Sequence, residues 1–271
     1  MSPLWRDEVA IFLAPRKIAL LRRRRGLKPR ISAATEIAVA EGSMGDSGPA
    51  LARLAELLGE PGWQDADARV VIADPWARFA MVPAPASRLD QDARRAHARF
   101  VIADIYGEAV TDWQLELQDA PPGRPCLACA MPGGLKADIE AALAPARLKL
   151  VSMQPLLVVA FNAWRGRLPP GDLWFMSVED GWLSAVQLAD GAWNRIHAAR
   201  LSGDSNVEFE RMQAFARLTR SAGSSPRIFV EAPPGFRARA ARIGSDLEWL
   251  EMDAANGGPT HELALLLKVS A

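Results

Sequence analysis

Twice along the chain, three short apolar or alternating runs follow one another before the pattern turns to helix-period stretches separated by single strands. This repeated order limits the available folds more than any single motif does. In the first half the three runs are a segment at 8–13, KIALLRR (17–23) and a segment at 35–40; in the second they fall at 173–178, 182–188 and 192–201. Apolar runs of period two bounded by Pro, Gly or Asp turns read as strands. After the first meander come a helix at 47–59, with Ser47 as its cap and a proline early in its first turn, and two strands within 68–83. A helix follows over 89–106, its apolar positions supplied by Ala93, Ala96, Phe100, Ile102, Ala103 and Ile105. Strands at 112–117 and 125–131, a helix at 133–144 and a strand at 147–151 close the first half. A helix at 154–165 precedes the second meander, which is followed by a helix at 206–222, a strand at 227–231, a helix at 235–242, a strand at 246–250 and an apolar segment at 261–269. Strand meanders feeding alternating helices and strands in each half predict an α/β protein of two related lobes, residues 1–153 and 154–271, rather than one doubly wound sheet. No repeat is visible at the level of residue identity. The stretches LPPGD (168–172), SAGSSP (221–226) and DAANGGP (253–259) read as surface turns.

Composition removes several classes. With 271 residues, 49% of them hydrophobic, the chain can bury a sizeable core, and 32 basic residues balance 32 acidic ones, so no overall field favours nucleic acid or an anionic membrane. No apolar run reaches 18 residues, which points to an untargeted cytoplasmic protein. Cys126 and Cys129 in RPCLACAMP have CxxC spacing, but on a strand residues three apart face opposite ways, so the pair suits neither a disulfide nor zinc. His97, His197 and His261 lie in different elements and supply no second ligand pair. No G-x-S-x-G, H-E-x-x-H or G-x-x-x-x-G-K-[ST] occurs, and neither a catalytic residue nor a metal ligand is predicted.

Four stretches carry a family resemblance: VAIFLAPRKIALLRR, ARFVIADIYGEAVTDWQLEL (98–117), LKLVSMQPLLVVAFNAWR (148–165) and LWFMSVEDGWLSAVQLADGAWNRIHAARL (173–201). In these the chain resembles the actin-like (ASKHA) proteins of bacterial type IV pilus and type II secretion platforms, the group of PilM, MshI and the cytoplasmic domain of GspL. The resemblance implies an actin-like, ribonuclease H-like duplicated two-lobed fold. It also implies that nucleotide, where a member binds it, is held between lobes by two β-hairpins and a glycine-rich turn. Such tips must offer backbone N–H groups to phosphate oxygens at close range, and a carboxylate must hold Mg²⁺.

Each of these three elements departs from that pattern. The first tip reads Leu13-Ala-Pro-Arg-Lys17, with no acid and one donor removed by proline, leaving Arg16 and Lys17 as the charges that could meet a phosphate. In the second, VEDGWLSAVQLADG (178–191), Glu179 and Gly181 stand for the Asp-x-Gly pair if the turn is shortened, which puts Ala185 where a hydroxyl belongs; if length is kept, Ser177 and Glu179 take those positions. Trp182 crowds the tip. The third, Phe229-Val-Glu-Ala-Pro-Pro-Gly235, keeps only Gly235 as a permissive position. Arg16, Lys17, Glu179, Gly181 and Gly235 therefore mark an expected vestigial nucleotide cleft, with ATP and Mg²⁺ disfavoured as cofactors and a pseudo-ATPase expected.

The resemblance further implies a cytoplasmic scaffold peripheral to the inner membrane, recruited by the cytoplasmic tail of a bitopic pilus or secretion protein laid along an exposed strand edge. A secretion ATPase is a second expected partner, self-association into a homodimer stays open, and nucleic acid is not expected. Two other classes remain in view. An active ATPase or sugar-kinase-like enzyme would have to rebuild phosphate contacts from Arg16, Lys17 and Glu179, and a nucleic-acid module would rest on Arg22 to Arg25 with Lys28 and Arg30 alone. That basic run otherwise reads as a solvated strand edge that discourages edge pairing, or as a contact for an acidic partner or membrane. Of nine tryptophans, Trp113, Trp174, Trp182 and Trp193 lie on or beside strands and are expected in cores or interfaces. Asp74-Pro-Trp-Ala-Arg78 reads as a turn.

Overall fold

The computed structural model describes residues 6–26, 30–40, 44–85, 89–121, 123–179, 181–201, 205–218, 227–239, 247–251 and 260–269. The elements begin with β1 (Asp7–Leu13), β2 (Lys17–Arg24), β3 (Arg30–Ala38), α1 (Gly48–Gly59), β4 (Ala66–Ile72) and β5 (Arg78–Val82). Then come α2 (Gln91–Tyr106), β6 (Gln114–Leu117), β7 (Cys126–Met131), α3 (Leu135–Leu143), β8 (Lys149–Pro155) and α4 (Leu156–Trp164). The second meander is β9 (Leu173–Glu179), β10 (Trp182–Ala189) and β11 (Ala192–Arg200), followed by α5 (Ser205–Leu218), β12 (Arg227–Glu231), α6 (Pro234–Arg239), β13 (Leu247–Leu250) and α7 (His261–Val269).

Two five-stranded sheets have the same topology. One runs β3-β2-β1-β4-β8 and the other β11-β10-β9-β12-β13, each an antiparallel meander of three strands continued by two parallel ones. The duplication expected from the repeated pattern is thus present in strand order. Position in the sheet explains composition: β1 pairs on both sides, and six of its seven residues are buried, Glu8 and the apolar run from Val9 to Leu13, whereas edge strand β3 has no buried residue.

The chain divides into two compact units drawn from separate stretches: residues 1–76, 133–166 and 252–271, and residues 77–132 and 167–251. A single cut after Met153 falls inside β8. The first unit holds the β3-to-β8 sheet with α1, α3, α4 and α7. The second holds the β11-to-β13 sheet with α5 and α6, and a three-stranded sheet β5-β7-β6 covered by α2. Within the second unit Trp174, Met176, Val178, Leu183, Ala185, Ile228 and Val230 pack against Phe209, Met212 and Ala216 of α5 as one core.

Some boundaries move for local reasons. Strand β3 starts at Arg30, five residues before the expected 35, because Ile31 and Ala33 keep pairing with β2 across a bulge. Pro155 ends β8 at the N-cap of α4, so that helix begins at Leu156 rather than 154. Ser47 precedes α1 without a side-chain bond to it; Asp46 Oδ1 accepts from Gly48 N–H at 2.9 Å instead. On α2 only Ala98 and Ile102 are buried, while Phe100 and Ile105 are 70% and 55% exposed, since a three-stranded sheet covers a narrow stripe of helix. The turn at 74–78 is a 3-10 turn, Asp74–Trp76, whose Asp74 is 3% exposed and accepts from Leu157 N–H at 3.0 Å, capping α4. The strand expected from 246, and the helices expected to 222 and 242, extend into residues outside those described.

Candidate functional site

In the first unit the β1–β2 hairpin closes with Leu13 opposite Ile18. At its tip Ala14 N–H donates to Lys17 O at 2.9 Å, and Pro15 has no N–H. The surrounding backbone is knitted in as well: Val39 N–H donates to Arg16 O at 2.8 Å and Ala73 N–H to Leu13 O at 2.9 Å. Arg16 is exposed. Lys17 Nζ lies 2.6 Å from Glu262 Oε1 on α7 and 3.7 Å from Glu36 Oε1 on β3. The tip lysine is therefore in an ion pair with the chain's own carboxylates.

In the second unit Glu179 pairs with Trp182, leaving a two-residue tip of which Gly181 has φ +78°, the left-handed region that favours glycine. Gly181 is exposed, and its carbonyl accepts from Leu201 N–H at 2.7 Å. The next turn, Asp190 (φ +51°) and Gly191 (φ +73°), is another two-residue hairpin between β10 and β11. Gly181, Asp190 and Gly191 fall where the turn residues of the sequence place them.

The even-numbered residues of β9 face α5, so Ser177 and Glu179 face the opposite side of the sheet, together with Glu231 of β12 and Ser184 of β10. Ser184, Ser177 and Glu231 stand in one lateral row, Ser184 opposite Ser177 and Ser177 opposite Glu231. Ser177 Oγ donates to Glu231 Oε2 at 2.9 Å. All are buried, with Glu179 5% and Glu231 1% exposed. Ala185, taken as the missing hydroxyl position, lies in the α5 core, and the hydroxyl one residue earlier, on Ser184, lies on the acidic face. Gly235 is exposed in the first turn of α6, after Pro233, whose carbonyl accepts from Phe236 N–H at 2.8 Å.

Arg16 and Lys17 thus share one hairpin of the first unit, and Glu179 and Gly181 share one hairpin of the second. Gly235 follows β12, the strand beside β9. The residues that composition and spacing did not single out are Glu231, Ser184, Glu36 and Glu262. Glu231 was visible as the charged end of an apolar strand, but Glu262 lies 245 residues from its partner and no local signal links the two. The carboxyl ends of β9 and β12 thus bring the buried Glu179 and Glu231 onto the same face of the sheet as the hydroxyls of Ser177 and Ser184.

The other candidates resolve locally. Arg22 bonds Asp7 Oδ2 at 2.7 Å and the carbonyls of Gly62 and Gln64, and Arg25 shares Glu8 Oε2 with Arg69 at 2.8 and 2.9 Å. These two arginines of the basic run are anchors within the first unit; Lys28 lies outside the described residues. Cys126 and Cys129 on β7 are not joined in a disulfide, Cys126 packing toward α2 and Cys129 lying on the other face. Trp174 is buried in the α5 core, while Trp113, Trp182 and Trp193 are half-buried. Among the described residues no group of three or more His, Cys, Asp or Glu is placed to hold a metal ion, and no helix is long and apolar enough to cross a membrane.

No protein-family model matches the chain, and no curated protein matches its sequence. Solved structures do. A PilM–PilN type IV pilus biogenesis complex superposes with a TM-score of 0.69 at 14% identity, over 97% of this chain and 98% of that one. A Bacteroides thetaiotaomicron protein of unknown function with an actin-like ATPase fold gives 0.58 at 8% identity, over 98% and 99%. The cytoplasmic domain of EpsL, an inner-membrane component of the type II secretion system of Vibrio cholerae, gives 0.55 at 10% identity, over 97% and 94%. The fold is the actin-like fold.

Proposed function

We propose that this chain is a cytoplasmic actin-fold scaffold of a type IV pilus or type II secretion-like inner-membrane platform, acting by protein–protein contact with its nucleotide chemistry lost. The observation that carries the loss is the state of the two hairpins. Lys17 is bound to Glu262 and Glu36, and the strand ends beside the second hairpin present buried Glu179 and Glu231 where a triphosphate would add more negative charge. The likeness to a PilM–PilN complex and to the EpsL cytoplasmic domain supports the platform assignment.

The partner in this reading is the short cytoplasmic tail of a bitopic inner-membrane protein, bound as an added strand, and recruitment through it keeps the protein at the inner face of the membrane. The first unit offers a nine-residue edge, β3, with Ile31 49% exposed on it. Calorimetry tests both halves. Titrated with ATP and Mg²⁺ at micromolar concentration, the protein should give no binding heat, and micromolar binding with release of phosphate would establish the same fold as a working ATPase. Titrated with the tail peptide of a membrane protein encoded beside it, it should bind; silence with every neighbouring tail would remove the platform role.

A further inference from the structure

The C-terminal helix is tied to the first hairpin by charge as well as by packing. Thr260 opens α7: its carbonyl accepts from Ala264 N–H at 2.9 Å, and its hydroxyl bonds Glu36 Oε2. Two residues on, Glu262 is 3% exposed and accepts from Lys17 Nζ at 2.6 Å. Glu36 lies 3.7 Å from the same ammonium. Lys17 on β2, Glu36 on β3 and the first turn of α7 therefore form one polar knot, and behind it Leu263, Leu265 and Leu266 are buried where α7 meets α4, β1 and β2.

The charges explain why the knot is obligatory. A carboxylate as buried as Glu262 needs a cation at contact distance, and a glutamate in the first helical turn is also favoured by the exposed N–H groups there. Lys17 is that cation, and it is also a basic side chain at the tip of the first hairpin, beside the exposed Arg16. The ammonium of Lys17 has three N–H donors and already faces the carboxylates of Glu262 and Glu36, so a phosphate oxygen at the tip competes with them for it.

We propose that Glu262 is an internal anionic ligand of the first hairpin, so that α7 works as a latch that a polyvalent phosphate-type anion opens by taking Lys17. Binding at the hairpin and release of the C-terminal helix are then one event, and the helix is the moving part that reports an anion at the tip.

Hydrogen exchange read by mass spectrometry, with inorganic pyrophosphate as the probe, tests this. In Lys17→Met the buried carboxylate loses its cation, and the amides of α7 should exchange roughly 100-fold faster while those of β9 and β10 keep their protection. Glu262→Gln, isosteric and uncharged, should bind pyrophosphate at least about tenfold more tightly than the unaltered protein, and Lys17→Met should not bind it. In the unaltered protein millimolar pyrophosphate should speed exchange in α7 alone. Unchanged α7 exchange in Lys17→Met, or equal pyrophosphate affinity with and without the Glu262 charge, overturns the latch. If either variant loses protection throughout, the pyrophosphate titration of the unaltered protein decides: no change in α7 exchange overturns the proposal. Failure here leaves the scaffold reading standing, because that reading falls only to ATP turnover or to the absence of tail binding.

Discussion

Asp74 shows how one side chain can settle a junction. It caps α4 across 83 residues of sequence, sits 3% exposed, and lies at the point where the chain leaves the first compact unit. Asp74→Ala removes the acceptor of a buried N–H, and the expected loss is about 1–2 kcal/mol, read as a lowered urea midpoint with unchanged slope. Tyr106 offers a second measurement, since it is the one tyrosine in the chain and its ultraviolet tyrosinate band has a single source. Its hydroxyl donates to Phe79 O at 2.8 Å, its ring lies beside the Arg78 guanidinium, and burial pushes its pKa above the ordinary 10.0. A raised folded value means that this contribution to stability is whole below pH 10.0 and is lost as pH climbs through the folded value. An absorbance titration of the folded protein should therefore reach its midpoint later than the urea-unfolded chain; coincident midpoints would place the ring in water.

At the scale of elements, what the sequence disclosed and what it hid follow from the range of the forces involved. Strands β1, β2, β9, β10 and β11 and the Asp-Gly turns were legible because alternation and turn chemistry are local. The apolar residues of α2 misled for the converse reason: Phe100 and Ile105 have the right spacing, but how much of a helix is covered depends on the width of the sheet beneath it, which no window of residues reveals. Of the site, the make-up of the two hairpin tips was legible, because a proline and a missing acid are local facts. The Glu262 contact to Lys17 and the Ser177–Glu231 bond join distant stretches and had no local trace. The β3 edge supplies a prediction of its own. Val39 N–H points to Arg16, so by antiparallel alternation the N–H groups of Ala34 and Glu36 point away from β2. Ala34→Pro should therefore keep the β2 ladder and cost less than about 1 kcal/mol in stability while abolishing tail-peptide binding. Peptide binding that survives the proline would move the docking site off β3.

For the molecule as a whole, the repeated sheet order is built on an interleaved chain. The unit containing the N-terminus also contains α7, whose Leu263, Leu265 and Leu266 are each worth roughly 1.5–3 kcal/mol in burial. Ending the chain after Glu251 should therefore weaken the sheet of β1 and β2, far away in sequence, and spare the sheet of β9 and β10; amide protection across the two sheets is the readout, and uniform loss in both would contradict it. The same interleaving sets a timetable for biosynthesis. Strands β1 to β4 leave the ribosome before any of the second unit, yet the body they belong to stays open until α7 follows, so the sheet that begins folding earlier is sealed only after the whole of the second unit has been made.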